Sequence, residues 1–525
     1  MLPLEQITVG GLLRRTAALF PNRPALIWHD IPHTYAELDA LTDRYAATLI
    51  RLGVEKGDHI ALYGETETDV VSLFYAITRV GAVAVMINTS LASEDLERVL
   101  RLSDPKFLLI GRSYNPSVHL KQNAASIGAL PTLNACYAVG EDRSDLSFPL
   151  LEPGMADGGL VCAREAEVLP SDTAAIIFTS GSTGAPKPVM TSHFSRANSG
   201  IQQAHDLAAD CRDVFCVTMP MYHCFCISAN VLAAAAVGAC LCLPDDRHTG
   251  SVLRAVQEHR ATLMHAVPSM FRAVMARPDF DSWDLSSLRA GLIGGSGYPP
   301  KDFVTIEKRF GMLLLASLGQ TEATAGLSVS ALTDSLEVRS TTVGHFMDHV
   351  EGKLVSLETG ETAAPGEIGE ICVRGYLVMQ GVYRQPEQTA KTIDADGWLH
   401  TGDLATLDAD GNLKMCGRCK DLIIRGGENI SPIEIQDHIC SLPQVPYCKI
   451  VPVPDAHYGE EACACVQVAE GQSITADEIR AFLKGRIADY KIPRYILFFK
   501  EFPTNTTGKV DPRATAAIAR EILGL

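Results

Sequence analysis

Basic residues are the scarcer side of this chain's charge. Lysine and arginine number 45 against 62 acidic residues, leaving a formal charge of −17. That balance argues against general affinity for nucleic acid or an anionic membrane, so any polyanionic ligand must be held locally. Regular cysteine spacing is also lacking. The 15 cysteines, an odd number at irregular intervals, make no disulfide framework and point to a reducing compartment, the cytoplasm by default. The start MLPLEQITVGGLLRR has no basic region ahead of an apolar core, so no cleaved signal peptide is expected. Residues 224–243 carry no charge and have the length of a membrane span. Their middle, ANVLAAAAVGACLCL, is alanine, glycine and cysteine with weak transfer energy, and the expectation is a buried helix running into a buried strand. No internal repeat and no low-complexity tract is visible.

What is present is length and alternation. With 525 residues, 47% hydrophobic and 20% charged, the chain has material for several packed units. TYAELDALTDRYAATLIRLG opens with a capping-box pattern, Thr34 to Glu37, carries Leu38, Leu41, Tyr45, Leu49 and Leu52 at helical spacing, and stops at Gly53. HIALYG, TDVVSLFYAITRVG and AVAVMI follow as strand, helix and strand, the pattern of a parallel α/β sheet. TAAIIFTS and the helix TSHFSRANSGIQQAHDLA continue it, with a hydroxyl-rich loop between them. After about residue 350, short strands with Asp-Gly turns predict a β-rich section. From Lys420 the spacing predicts helices at SPIEIQDHICSL and TADEIRAFLKGRIADY and strands at KIVPVP, EACACVQV and YILFF, a small α+β domain. The fold expectation is a large N-terminal α/β region, 1–419, with parallel sheets and a β-rich section, and a small mobile α+β domain, 420–525.

The stretch IIFTSGSTGAPKPV raises the functional question. Thr179, Ser180, Gly181, Ser182, Thr183 and Gly184 offer backbone N–H groups, hydroxyls and conformational freedom, the requirements for cradling phosphate oxygens, and Lys187 adds a point charge. The spacing does not fit the G-x-x-x-x-G-K-[ST] loop, which disfavours that NTPase class. A loop of this composition is by itself often a plain linker.

The run TSGSTGAPK resembles the phosphate-binding signature of the adenylate-forming superfamily, which holds acyl-CoA synthetases, luciferases and peptide-synthetase adenylation domains. GGSGYP, SLGQTEATAG, GEIGEICVRG, GWLHTGDLA, GRCKDLIIRGGENISPIEIQ and PTNTTGKV follow in the order that superfamily uses, across most of the chain. The resemblance implies a reaction in two halves: a carboxylate attacks the α-phosphorus of ATP and expels pyrophosphate, and the acyl-adenylate then acylates a thiol. It assigns the β- and γ-phosphates to Thr179–Lys187. The Thr321 hydroxyl goes to the α-phosphate, and Mg2+ to Glu322, which suits an ion that takes few protein oxygens. Adenine falls to Gly295, Ser296 and Gly297 with Ser317, Leu318, Gly319 and Gln320, and ribose to Asp403 and Arg418. Lys509 would bridge carboxylate and α-phosphate. Lys420 would be the hinge, and Arg425, Gly426, Gly427 and Glu428 would admit coenzyme A. Two departures stand out: Leu318 replaces the usual aromatic platform, and Pro188 replaces the glycine after the lysine.

His223 in MPMYHCF stands where acyl- and aryl-CoA synthetases carry a histidine near the carboxylate. The aspartate that binds an amino acid's ammonium is missing there, and a buried ammonium without a counter-charge is costly. Tyr222, Phe225 and Val267, with Met221, Ile227 and Met270, are candidates for an acyl or aryl pocket or for core. Cys416 and Cys419 form an isolated C-x-x-C, read as incidental. Cys224 and Cys226 beside His223 cannot easily surround one ion, and a packed small-residue pocket wall is the better reading. The expected activity is an ATP-dependent carboxylic acid:CoA ligase (AMP-forming) acting on a small carboxylic acid. A carrier protein as acceptor, a luciferase-like oxidation and a non-catalytic nucleotide-binding protein remain the alternatives; oligomeric state is open. Lys509→Ala is expected to lose most acid-dependent pyrophosphate release while keeping thioester formation from supplied acyl-adenylate; equal loss in both assays would refute the two-pose assignment.

Overall fold

The computed structural model describes residues 2–91, 93–111, 127–128, 130–140, 148–180, 186–426, 428–504 and 510–525. Two largely parallel sheets form the N-terminal region. One has nine strands, in the order His345–Phe346, Gly326–Val329, Leu313–Gly319, Ala290–Gly294, Leu263–His265, Val214–Val217, Cys240–Cys242, Pro24–Trp28 and Ile31–Thr34. The other has seven: Gly381–Val382, Pro186–Ser192, Thr173–Ser180, Val83–Ile87, His59–Tyr63, Phe107–Ile110 and Ala135–Ala138. The largest core cluster unites Leu26, Phe215 and Leu263 of the first with Leu62, Met86 and Ile177 of the second. Leu73, Ile201 and Leu232 of the helices join the same cluster.

Local chemistry accounts for the helices. Tyr35–Arg51 begins with the expected capping box, Glu37 N–H donating to Thr34 Oγ1 at 3.2 Å and Thr34 N–H donating to the Glu37 carboxylate at 2.7 Å. The uncharged run becomes a buried π-helical segment, Ile227–Leu232, followed by Ala233–Val237 and the strand Cys240–Cys242. Among the described residues, no helix is long and apolar enough to cross a membrane. Gly200 makes the packing of this segment possible: a Cβ there would lie 2.5 Å from Leu232 Cβ.

Two expectations need correction. The hydroxyl-rich stretch does not join a strand to a helix. Pro186–Ser192 is a further strand, antiparallel to Thr173–Ser180 with Thr179 opposite Lys187, so the stretch links two paired strands of a hairpin. Alternation does not explain the strand, since Pro188, Val189, Thr191 and Ser192 are all buried and Met190 is half-buried; pairing with Thr173–Ser180 on one side and Gly381–Val382 on the other does. The helix expected through Tyr490 covers only Ala476–Leu483; Lys484 is extended and Gly485 sits at φ +76°.

The β-rich section is a four-stranded antiparallel sheet, Val350–Val355, Gly369–Gly375, Leu399–Leu407 and Leu413–Arg418. A last sheet carries Ile423–Arg425, Glu428–Ile430, Tyr447–Asp455, Gly459–Gln467 and Tyr495–Phe498. Lys301 contacts this C-terminal part, its ammonium donating to the carbonyls of Cys440 at 2.5 Å and Val445 at 2.6 Å.

Arg79 is buried where four helices meet. It pairs with Asp39 at 2.5 Å and Asp43 at 2.7 Å, while Arg14 joins Asp43 at 2.7 Å to Glu165 at 2.8 Å. Removing one partner of such a buried pair strands the opposite charges. Arg79→Ala is therefore expected to lower unfolding stability by about 3–5 kcal/mol, measured by urea titration. A change near zero would mean that Arg14 alone holds the cluster.

Candidate active site

The hairpin and the GQTE turn meet. Leu313–Gly319 runs into a 3-10 turn, Thr321–Ala323, that places Glu322 against the end of the hairpin strand, where Thr179 Oγ1 donates to Glu322 Oε1 at 3.3 Å. Glu322 forms no ion pair among the described residues, and its backbone carbonyl accepts from Met379 N–H at 2.9 Å. Its carboxylate therefore keeps lone pairs for a hard cation, and Mg2+ fits there. Thr321 is buried with its hydroxyl 3.5 Å from Cys224 Sγ, and that sulfur lies 3.9 Å from His223 Nδ1. The end of the hairpin strand, the GQTE turn and His223 thus converge through Thr179, Glu322, Thr321 and Cys224. Ser180 and Lys187 lie on the two paired strands, with Lys187 half-buried. Gly181, Ser182, Thr183 and Gly184 lie outside the described residues.

The other predicted groups sit on neighbouring elements. Gly294 pairs with Ser317 in parallel register, which sets Gly295, at φ +81°, Ser296 and Gly297 beside the strand carrying Ser317, Leu318 and Gly319. Leu318 packs against the cluster around Leu327 and Leu354. Gln320 Nε2 is buried with no hydrogen-bond partner among the described residues. Asp403 and Arg418 face each other across two strands, and Arg418 Nε donates to Asp403 Oδ1 at 2.6 Å. Burial opposes the Arg418 charge, but Asp403, Asp421 and Glu322 outweigh it and hold the guanidinium above its usual range.

The pocket candidates separate. Met221 and Ile227 are fully buried core residues, whereas Tyr222, Phe225 and Val267 are half-buried and packed against that core. Phe225 stacks on His265 with ring centroids 6.4 Å apart, and His223 is exposed. Cys226 is a wall residue whose thiol burial pushes up to about 12. In the C-terminal sheet, Arg425 and Glu428 pair across a hairpin with Gly426 at φ +60°. Arg425 Nε bonds the Glu461 carboxylate at 2.8 and 2.9 Å, and its guanidinium lies 3.9 Å from the Tyr458 ring centre. Lys420 is exposed in a 3-10 turn just before this sheet. Gly427 and Lys509 lie outside the described residues.

Sequence reasoning missed Arg196. Fully buried in the helix His193–Asp206, it donates from Nε to Thr191 Oγ1 at 2.8 Å and from Nη1 to Thr324 O at 2.7 Å, while Nη2 is unpartnered among the described residues. Thr324 holds φ +61°, an uncommon conformation for a β-branched residue. An arginine in the apolar helix pattern was the available signal.

Residues 13–383 match the AMP-binding enzyme family, and residues 434–509 match the AMP-binding enzyme C-terminal domain. The chain belongs to the AMP-binding enzyme family. Among the relatives of this family member, YngI of Bacillus subtilis (strain 168), named as an acyl-CoA synthetase, is 36% identical across 97% of this chain and 96% of its own. The mitochondrial medium-chain acyl-CoA ligase ACSF2 of Rattus norvegicus is 35% identical over 96% of this chain and 86% of its own. The anthranilate CoA ligase AuaEII, solved with anthranoyl-AMP, shares the fold at a TM-score of 0.86 and 24% identity, over 100% of this chain and 99% of its own. The o-succinylbenzoate CoA synthetase MenE of Bacillus subtilis, solved with its acyl-adenylate, reaches 0.78 at 26% identity over 97% and 98%. The enzyme is thus adenylate-forming in fold as well as in family.

Cys224 reports on the site's electrostatics. Burial opposes its ionisation, but His223, Arg196 and the Thr321 hydroxyl outweigh burial and bring the thiol down to about 7. Thiolate ultraviolet absorbance, taken as the difference between the native enzyme and Cys224→Ser, is expected to titrate with a midpoint near 7. A midpoint in the ordinary thiol range, about 8.5, would mean that His223 and Arg196 do not draw this thiol toward ionisation.

Proposed function

We propose that the protein is an AMP-forming carboxylic acid:CoA ligase using ATP and Mg2+, with an aliphatic acid of medium chain length as substrate. The contact that carries this reading is Thr179 Oγ1 to Glu322 Oε1 at 3.3 Å, which brings the phosphate hairpin and the metal carboxylate to one point. Full-length similarity to acyl-CoA synthetases supports the reaction, and the ACSF2 relatives' names support the chain length. The half-buried apolar Tyr222, Phe225 and Val267 suit an acyl chain.

In the first half-reaction, a carboxylate oxygen of the acid forms a bond to the α-phosphorus. The bond to the bridging oxygen breaks and pyrophosphate leaves. Charge spreads over the phosphoryl oxygens, and fixed donors aimed there lower the barrier. Thr179, Ser180 and Lys187 with the stretch between them hold the terminal phosphates, and the Thr321 hydroxyl meets the α-phosphate. The unpaired Gln320 Nε2 is a donor for nucleotide or acid, Asp403 with Arg418 takes the ribose hydroxyls, and His223 orients the carboxylate. Bound at Glu322, Mg2+ would neutralise triphosphate charge. In the second half-reaction the CoA sulfur attacks the acyl carbon, the bond to AMP oxygen breaks, and the thiol's proton is released.

The division at Lys420 suits two poses, one bringing Lys509 to the phosphate and one bringing the Arg425–Glu428 turn to admit the thiol. A hinge needs only a few residues that absorb the change of backbone angles. Fifteen free thiols fit a reducing compartment, and we place the enzyme in the cytoplasm.

Pyrophosphate release should depend on the acid, peak with octanoate-sized aliphatic acids over aryl, dicarboxylic and amino acids, and continue to a CoA thioester. Glu322→Gln should lower that release by about a hundredfold or more, the scale of losing one fixed electrostatic group in a transition state. Acid-dependent release without a thioester would move the acceptor to a carrier protein, and silence across the panel from folded enzyme would sink the ligase reading.

A further inference from the structure

A second group of metal-binding side chains lies in the four-stranded sheet, outside the residues assigned to ATP. Glu370 and Cys372 are two apart on the strand Gly369–Gly375 and so share a face. Cys372 pairs directly with His400 on the neighbouring strand. Cys372 Sγ lies 3.4 Å from His400 Nδ1, which lies 2.9 Å from Glu370 Oε2, and one donor atom from each of the three falls within 4.8 Å of the others. A tetrahedral zinc ion would separate sulfur from nitrogen by about 3.6 Å and nitrogen from carboxylate oxygen by about 3.3 Å, given bond lengths of about 2.3 and 2.0 Å. The sulfur–nitrogen and nitrogen–oxygen separations are thus each within a few tenths of an ångström of those values, and the sulfur–oxygen separation is within 4.8 Å.

Outer contacts hold the donors as a metal site requires. The far nitrogen of His400, Nε2, faces Asp394 Oδ2 at 3.5 Å, an arrangement in which a carboxylate orients a ligating imidazole through its other nitrogen. Asp394 is itself fixed by the backbone N–H groups of Asp396 and Trp398, each at 2.9 Å. Glu370 Oε1 accepts from Gly402 N–H at 2.9 Å, leaving Oε2 for the shared position. Cys372 is buried, whereas the His400 side chain is 34% exposed and gives solvent a way in. Opposing binding, Lys353 pairs with Cys372 from the other side, its ammonium 4.2 Å from the Trp398 ring centre. Cys416 and Cys419 are not among the donors.

We propose that Glu370, Cys372 and His400 form a three-ligand site for Zn2+ or a similar borderline divalent ion, with the fourth position open to water. A thiolate, an imidazole and a carboxylate select such an ion over Mg2+, which prefers oxygen alone. The site is separate from Glu322. It lies three residues before Asp403 on the same strand, so a bound ion would clamp the two strands that position the proposed ribose carboxylate.

Metal-free full-length protein titrated with Co2+ alone tests this. The expected result is a sulfur-to-cobalt charge-transfer band with intense visible bands, saturating at one equivalent. Cys372→Ser should abolish the charge-transfer band, and Glu370→Gln should weaken Co2+ binding at least tenfold while keeping the band at saturation. Cys224→Ser and Cys416→Ser should leave both unchanged. Absence of the band in native protein, its survival in Cys372→Ser, or unchanged affinity in Glu370→Gln would overturn the proposal. Should Cys372→Ser fail to fold, the Glu370→Gln titration decides alone.

Discussion

One buried guanidinium joins the parts on which the site depends. Arg196 bonds the Thr191 hydroxyl at the base of the phosphate hairpin and the Thr324 carbonyl at the end of the GQTE turn. It therefore fixes the distance between two sheets at the point where chemistry is proposed. Burial, partly offset by Cys224, pulls the Arg196 guanidinium down to about 10, still well above neutrality, so the cation persists. The same charge helps draw Cys224 toward the thiolate, and Thr321 reads that corner through its hydroxyl. A structural cation thus also sets the electrostatics of the cleft, and Nη2, with no partner among the described residues, leaves it a further donor.

The layered architecture explains why helices so poor in charge are stable. The π-helical segment Ile227–Leu232 is buried in the core cluster shared by both sheets and packs onto the helix carrying Arg196 at Gly200. Its buried polar atoms, Ser228 Oγ and both amide atoms of Asn230, lack partners among the described residues, an uncommon cost in a packed core. π-Helical turns occur at functional positions, and this one begins four residues after His223.

Much of the fold was legible because local signals agreed with tertiary demand. The capping box at Thr34, the parallel strands at 59–63 and 83–87, and the β-rich section after residue 350 all formed as their patterns implied. The strand Pro186–Ser192 was not legible, because two prolines and a hydroxyl-rich lead-in obscure it, and tertiary pairing decides it. The helix expected after Thr475 runs too far because its helical spacing continues past Gly485, whose φ of +76° breaks it. In the site, ordered motifs named Thr179, Glu322, Asp403 and Arg418, and the pairs formed by these residues are contacts in the fold. Arg196 and the Cys372–His400 pairing depend on cross-strand register and burial, which a linear reading does not contain.

The outer side of the phosphate hairpin has a further consequence. Along a strand, a residue's N–H and carbonyl point the same way. Pro188 sends its carbonyl outward to Tyr383 N–H, so its missing donor also lies on the outer side, and Pro186, two residues away, repeats the arrangement. Among the described residues, the strand paired with this edge is the two-residue Gly381–Val382, at Val189 and Met190. A margin so briefly covered would otherwise be a template for a strand from another molecule. Withholding two donors there lets the margin of this sheet end without inviting self-association.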